Sequence, residues 1–350
     1  MNADYPKYRT GDDTLDAQLW DIAGSVTDEH DRSLIFEMLT SVARVGREGM
    51  GRGDLKLLNA AIKELRYADS VFDPWRNVRK VSIFGSARTR ADDPDYICAS
   101  DFGKAISDRG WMVITGAGPG IMRAGIEGAT PEKSFGVAIQ LPFEATADEL
   151  IANDPKFVNF RYFFTRKLTF VKESHGFALL PGGFGTMDET FELLTLLQTG
   201  KSEMAPVVLL DSPGNDYWPS WLEFVKGQLL TDGLISPEDL ELLTLTDSVE
   251  DAVEAICSFY KRYHSMRFVG KRLILRLNEP LAPPLIERLN DEYSAIVVSG
   301  AIEAITATDS EVDDADHVDL PRVAFHFDRA SYGALRAMID TINTADNSPA

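Results

Sequence analysis

The segment Pro181-Gly182-Gly183-Phe184-Gly185-Thr186-Met187-Asp188-Glu189 brings a glycine-rich turn and a carboxylate close together along the chain. It follows Gly176 to Leu180, a short apolar run of buried-strand type, and precedes Thr190 to Leu197, whose apolar spacing is helical. The context predicts strand, tight turn, helix. Glycines let a ligand approach the backbone where a Cβ would collide, and they permit positive φ in the turn. Thr186 is expected to cap the helix, leaving first-turn amides without intrahelical partners at the positive end of the helix dipole. A phosphate fits there. Glu189, one turn further on, is placed to act on the rest of a phosphorylated molecule. In isolation an ordinary glycine-rich αβ loop would look the same, so its neighbours must decide.

Three other segments bear on that choice. Phe84-Gly85-Ser86-Ala87-Arg88 leaves the apolar run Lys80 to Phe84, so Gly85 and Ser86 offer amides and a hydroxyl and Arg88 a positive charge, although a plain turn with a solvated arginine reads alike. Thr115-Gly116-Ala117-Gly118-Pro119-Gly120-Ile121-Met122 is again strand, glycine turn, helix. Its G-x-G-x-G spacing, its place after the second strand and the stiffening Pro119 argue against a dinucleotide fingerprint. Thr165-Arg166-Lys167 opens the helix that leads to the strand before Pro181, where a guanidinium can fork onto a phosphate or carboxylate.

Composition sets bounds on partners. The chain has 350 residues, 44% of them apolar, enough for a full core and more than one domain. A net charge of -20 argues against nucleic acid as the main partner, because that binding rests on phosphate neutralisation by Lys and Arg. An anionic small substrate must then be held by local positive groups. Cys98 and Cys257 lie far apart and the histidines show no HxxxH pairing, so neither a disulfide nor a metal site is expected. The polar, acidic stretch Met1 to Asp13 and the lack of a long apolar run predict a cytoplasmic protein without a membrane partner.

The elements that must position these loops follow from periodicity. Residues 14–70 read as helical, with Leu34, Ile35, Met38, Leu39 and Val42 in i, i+3, i+4 spacing and a break at Gly46 to Gly53. From about 78 to 262 strand and helix patterns alternate. Strands are expected at Lys80–Phe84, Trp111–Thr115, Phe135–Leu141, Gly176–Leu180 and Pro206–Leu210, which predicts a parallel sheet with helices on both faces. Ligands of such sheets bind beyond the carboxyl ends of the strands, at a switch in strand order. After 262 the pattern changes to strands at Arg272–Leu277, Ala301–Ala307 and Arg322–Phe327, helices near Pro284–Tyr293 and Ser331–Ile342, an acidic insert Asp309–Asp319, and a mobile tail after Asn343. The expected division is 1–77 helical extension, 78–262 α/β domain and 263–350 small α+β appendage.

In this order, with a strand between successive loops, the segments resemble the LOG family, the cytokinin riboside 5'-monophosphate phosphoribohydrolases once described as lysine decarboxylases. The motifs that carry the resemblance are the turn ending in Gly120-Ile121-Met122, the Arg166-Lys167 pair and the Pro181 to Glu189 box; it covers about residues 78–262. The resemblance implies a Rossmann-like α/β fold of the longer bacterial type. It implies hydrolysis of the N-glycosidic bond of a nucleoside 5'-monophosphate to free base and ribose 5-phosphate, without a cofactor. Arg166 and Glu189 match the catalytic pair, and Gly182, Gly183, Gly185 and Thr186 the phosphate loop. Ser86, Gly118, Gly120, Met122 and Lys167 match pocket positions, joined here by Gly85 and Arg88 from the first loop. Ala117 and Asp188 depart from the family's usual Gly and Glu. Arg161 to Phe164 is a candidate for the wall that meets the base, and homo-oligomers are implied, with the N-terminal helices as one means of forming them. The competing function is a nucleotide-binding or molybdenum-cofactor carrier, which would need the glycine loops but not Glu189. A lysine decarboxylase is disfavoured, since nothing reads as a pyridoxal phosphate site.

Overall fold

A computed structural model describes residues 5–140 and 148–348. The chain forms two compact units that divide between Glu64 and Leu65. In the first, α1 (Asp13–Val26) and α2 (Arg32–Arg47) precede α3 (Arg52–Phe72), which runs across the division. Asp12 caps α1 by accepting from Thr14 and Leu15 amides, both at 3.1 Å. Leu19, Ala23 and Phe36 form its core with Ile35 and Leu39 against them, while Leu34, Met38 and Val42 are exposed. The expected helical stripe is therefore split between an inward and an outward face.

The second unit carries the chemistry. It runs β1 (Lys80–Phe84), α4 (Pro94–Asp108), β2 (Met112–Thr115), α5 (Ile121–Ala129), β3 (Ser134–Ile139), β4 (Phe157–Phe160), α6 (Phe163–Glu173), β5 (Gly176–Leu179) and α7 (Phe184–Gln198). Next come β6 (Val207–Leu210), α8 (Tyr217–Phe224), a π-helical turn (Val225–Leu230), β7 (Leu243–Thr246) and α9 (Val249–Ser258). The strands form a seven-stranded sheet in the order β4-β3-β2-β1-β5-β6-β7, with every pairing parallel. Leu141, expected at the end of the third strand, lies outside the described residues.

Side chains alternate across this sheet as strand geometry requires. Val81, Ile83, Val113, Ala178 and Val208 enter the core beneath α4, α5 and α9, and Phe84, Ile114, Phe177, Leu179 and Leu209 enter the larger core on the other face. Burial on both faces explains the near-continuous apolar runs. The chain builds outward from β1 to β4 on one side, then returns to place β5 on the other side of β1. That reversal opens a crevice at the carboxyl ends of β1 and β5.

A second sheet, β10-β11-β9-β8, is antiparallel and is built from β8 (Tyr263–Val269), β9 (Arg272–Leu277), β10 (Val297–Ile305) and β11 (Arg322–Phe327). With α10 (Pro283–Glu292) and α12 (Tyr332–Thr344) it shares the larger core, as Leu275, Leu289, Phe325 and Ile339 show, and the short α11 (Asp309–Asp313) follows β10 in sequence. Within the acidic insert Glu311 is fully buried and pairs with Arg276 at 2.9 Å and Arg322 at 2.7 Å. The expected mobile tail is corrected: the chain stays docked beyond Asn343, because α12 continues to Thr344 and Asn347 accepts from the Ala282 amide at 2.7 Å and donates to Pro280 at 3.0 Å.

Helices α4 and α5 cross at glycines. A Cβ on Gly128 would stand 1.9 Å from the Ser100 carbonyl oxygen, and one on Gly103 2.5 Å from that of Gly125. Backbone oxygens cannot swing aside, so Gly128→Ala is expected to destabilise the protein by about 1–3 kcal/mol. Thermal unfolding checks this, and an unchanged Tm would contradict the close crossing.

Candidate active site

Three loops meet in the crevice at the carboxyl ends of β1, β2 and β5, and backbone hydrogen bonds tie them together. The Ser86 amide donates to the Pro181 carbonyl at 3.1 Å, and the Ser86 carbonyl accepts from the Ile121 amide at 3.0 Å. Gly120 makes this approach possible, since it has φ 68° and a Cβ there would lie 2.3 Å from the Ser86 oxygen. Gly118 in turn lies under Met122, whose Cε would be 2.7 Å from an added Cβ. Ala117 also adopts a left-handed φ of 56°. Its Cβ therefore carries a local cost that a glycine at this position would avoid.

The crevice is a cavity of about 700 Å³. Of the residues expected from sequence, Gly85, Ser86, Arg88 and Met122 line one side; Gly182, Gly183, Gly185 and Thr186 form the floor, and Arg166 and Glu189 complete it. Gly118, Gly120 and Lys167 do not line it; the two glycines shape the neighbouring loop. Gly116, Phe184, Met187 and Asp188 line it without having been singled out as pocket residues. Gly116 had a signal in its own motif, because a Cβ there would be 2.9 Å from the Arg166 guanidinium. Of the segment Arg161 to Phe164, Phe163 alone is part of the wall.

The floor differs from its expected form in one respect. Helix α7 begins at Phe184 with Gly183 as its N-cap, and no side chain caps it. Thr186 is inside the first turn, buried, with its hydroxyl packed where a Cβ on Gly182 would be only 2.0 Å away. Positive φ is not used at Gly182, Gly183 or Gly185. What glycine provides is room: a Cβ on Gly183 or Gly185 would meet nothing within 4 Å, so packing within the chain does not require glycine at either position. The first bond of the helix runs from the Met187 amide to the Gly183 carbonyl at 3.1 Å, and the amides before it have no intrahelical acceptor.

Tyr217 on α8 donates its hydroxyl to the Gly182 carbonyl at 2.5 Å. In a trans peptide the following N–H points the opposite way, so this bond directs the Gly183 amide away from Tyr217, which is not part of the cavity lining. Asp211, buried at the end of β6, accepts from the Trp218 amide at 3.0 Å and so holds the start of α8. Nothing in the sequence near the glycine box pointed to Tyr217.

Glu189 is 8% exposed. Burial pushes its carboxyl above the ordinary 4.5, Lys167 and Arg166 pull it back, and Glu192 and Asp188 add to the rise. Lys167 is 3.6 Å from Glu189 and 3.0 Å from Asp188, and also pairs with Glu192. It therefore anchors the acidic face of α7 from outside the cavity. Arg166 donates through Nε to the Val137 carbonyl at 3.0 Å and lies 5.2 Å from the Phe170 ring centroid. Burial lowers its pKa and the nearby Glu189 charge raises it, although no ion pair within 4 Å joins the two among the described residues. The site can thus receive an anion on backbone amides and present a carboxylate, with a guanidinium close by, to the remainder of the same molecule. Met122, Phe163, Phe184 and Met187 supply an apolar wall.

The family model described as "Possible lysine decarboxylase" matches residues 117–256. A cytokinin riboside 5'-monophosphate phosphoribohydrolase of Mycobacterium tuberculosis is 31% identical over 166 residues, 45% of this chain and 82% of that protein. One of Arabidopsis thaliana, LOG1, is 32% identical over 101 residues, 29% of this chain and 46% of that protein. Among solved structures, a molybdenum cofactor binding protein from Rippkaea orientalis is 21% identical with a TM-score of 0.37, covering 52% of this chain and 95% of that one.

Two glycine substitutions separate shape from binding. Gly183→Ala is expected to change stability by no more than about 1 kcal/mol in thermal unfolding, because its φ of -90° and ψ of -156° suit any residue. It should nevertheless weaken phosphate binding roughly tenfold or more, by filling the space above the amides. Gly182→Ala should instead unfold at lower temperature. Equal phosphate affinity and stoichiometry in Gly183→Ala and wild type would contradict the cradle.

Proposed function

The chain belongs to the LOG family, the cytokinin riboside 5'-monophosphate phosphoribohydrolases, and from this premise we propose that it hydrolyses the N-glycosidic bond of a nucleoside 5'-monophosphate, AMP or a cytokinin riboside monophosphate. The products are free base and ribose 5-phosphate. The observation that carries the proposal is the joining, on one helix, of a glycine cradle at Gly182 and Gly183 to the buried carboxylate of Glu189 in the same cavity.

In this mechanism the 5'-phosphate binds the amides at the start of α7, and its binding energy holds the ribose against Glu189. The departing base leaves an oxocarbenium-like sugar, which the ionised carboxylate stabilises while it orients the attacking water. Arg166 favours the ionised form of Glu189 through its charge and is near enough to the cavity to assist the base. The apolar wall of Met122, Phe163 and Phe184 accepts the base. Self-association is part of the proposal, with the exposed Leu34, Met38 and Val42 stripe as its apolar surface.

Glu189→Gln and Arg166→Ala are each expected to lower kcat roughly a hundredfold or more while the fold persists. Wild-type turnover in both would end the proposal, and tight binding of a monophosphate with no base released by the wild type would favour a carrier. The ionised carboxylate is the active form and its pKa is raised, so kcat/KM should climb with pH along a limb centred above 4.5. Lys167→Met removes the cation that lowers this pKa, so the limb should move to higher pH; a shift downward would contradict the role given to Lys167.

A further inference from the structure

A second cavity, of about 550 Å³, lies at the opposite ends of the same two central strands, bounded by Arg79 just before β1, His175 just before β5, and Ser265, Arg267 and Arg276 on the antiparallel sheet. In a chain of net charge -20, its lining includes four arginines and three histidines against Glu203 and Asp316.

Most of these charges are already committed. Asp316 holds Arg267 at 2.8 Å and Arg276 at 2.5 Å, Arg276 also binds Glu311 at 2.9 Å, and Arg76 pairs with Asp73 at 2.8 Å. Arg79 is different. Its guanidinium lies 3.6 Å from the Tyr260 ring centroid, and no carboxylate lies within 4 Å of it among the described residues. The same Tyr260 donates its hydroxyl to the His175 carbonyl at 2.8 Å, so one ring fixes both donors. His175 accepts the Lys80 amide on Nδ1 at 3.2 Å, which leaves Nε2–H as the donor of its neutral ring. Burial, with Lys80 and Arg79 adding to it, holds that ring neutral, at a pKa of about 3.

We propose that this cavity is a second ligand site, taking a small phosphorylated anion whose phosphoryl group is received by Arg79 and His175. The guanidinium fork of Arg79 and the imidazole N–H of His175 reach the cavity from two separate elements, an arrangement that suits a tetrahedral oxyanion, while the Ser265 hydroxyl is held by His264 at 2.9 Å. Glu203 is the acid that opposes binding, and it sets the sign of a control. The site does not depend on the function proposed for the first cavity.

The test is calorimetric titration of the full chain with inorganic phosphate at low ionic strength. Gly183→Ala should bind one phosphate fewer than wild type and keep the rest, and in that Gly183→Ala background the remaining binding should weaken roughly tenfold or more with Arg79→Gln and tighten with Glu203→Gln. The last variant decides the matter even if Arg79→Gln fails to fold. An isotherm unchanged in Glu203→Gln, or phosphate binding lost entirely in Gly183→Ala, would overturn the second site. Succinate binding Gly183→Ala more tightly than phosphate would overturn its assignment to a phosphoryl group.

Discussion

One backbone residue holds the candidate active site together. Ser86 donates to Pro181 at 3.1 Å and accepts from Ile121 at 3.0 Å, so the loops after β1, β2 and β5 are joined through a single pair of peptide groups. This is possible only because the strand order reverses between β1 and β5, which leaves their loops facing across a crevice. Gly120, with φ 68°, is the position where the chain pays for that closeness. The cradle, the guanidinium and the carboxylate all take their positions from this junction.

The electrostatics of the site follow from burial. Glu189 lies where ionisation is costly, and Lys167 and Arg166 offset part of the cost without closing the cavity. Lys167 does so from outside, shared with Asp188 and Glu192. A carboxylate kept partly uncompensated in this way favours a neighbouring positive charge more strongly than one already paired in water. An oxocarbenium-like sugar is such a charge.

The central strands were legible because burial on both faces writes them as continuous apolar runs, and Lys80–Phe84, Arg272–Leu277 and Arg322–Phe327 begin and end where the sequence places them. The edge strands were not. Phe157–Phe160 and Leu243–Thr246 are four-residue strands at the margins of the sheet, with polar residues between apolar ones, too short for periodicity to mark. The glycine box was legible as a tight turn from a strand into a helix, but the N-cap is Gly183 and not Thr186, because a helix whose cap lies three residues earlier on a bare glycine leaves no local sign. Tyr217 and the buried Glu311 were out of reach for a different reason: each is defined by a partner distant in sequence.

The central claim is that one small molecule touches both the Gly183 amide and the side chain at position 189. A crystal structure of Glu189→Gln with bound AMP tests it most directly. The account predicts the 5'-phosphate within hydrogen-bond distance of the amides at the start of α7, with C1' of the ribose facing residue 189. A phosphate bound away from Gly183, or a ribose turned from residue 189, would contradict it.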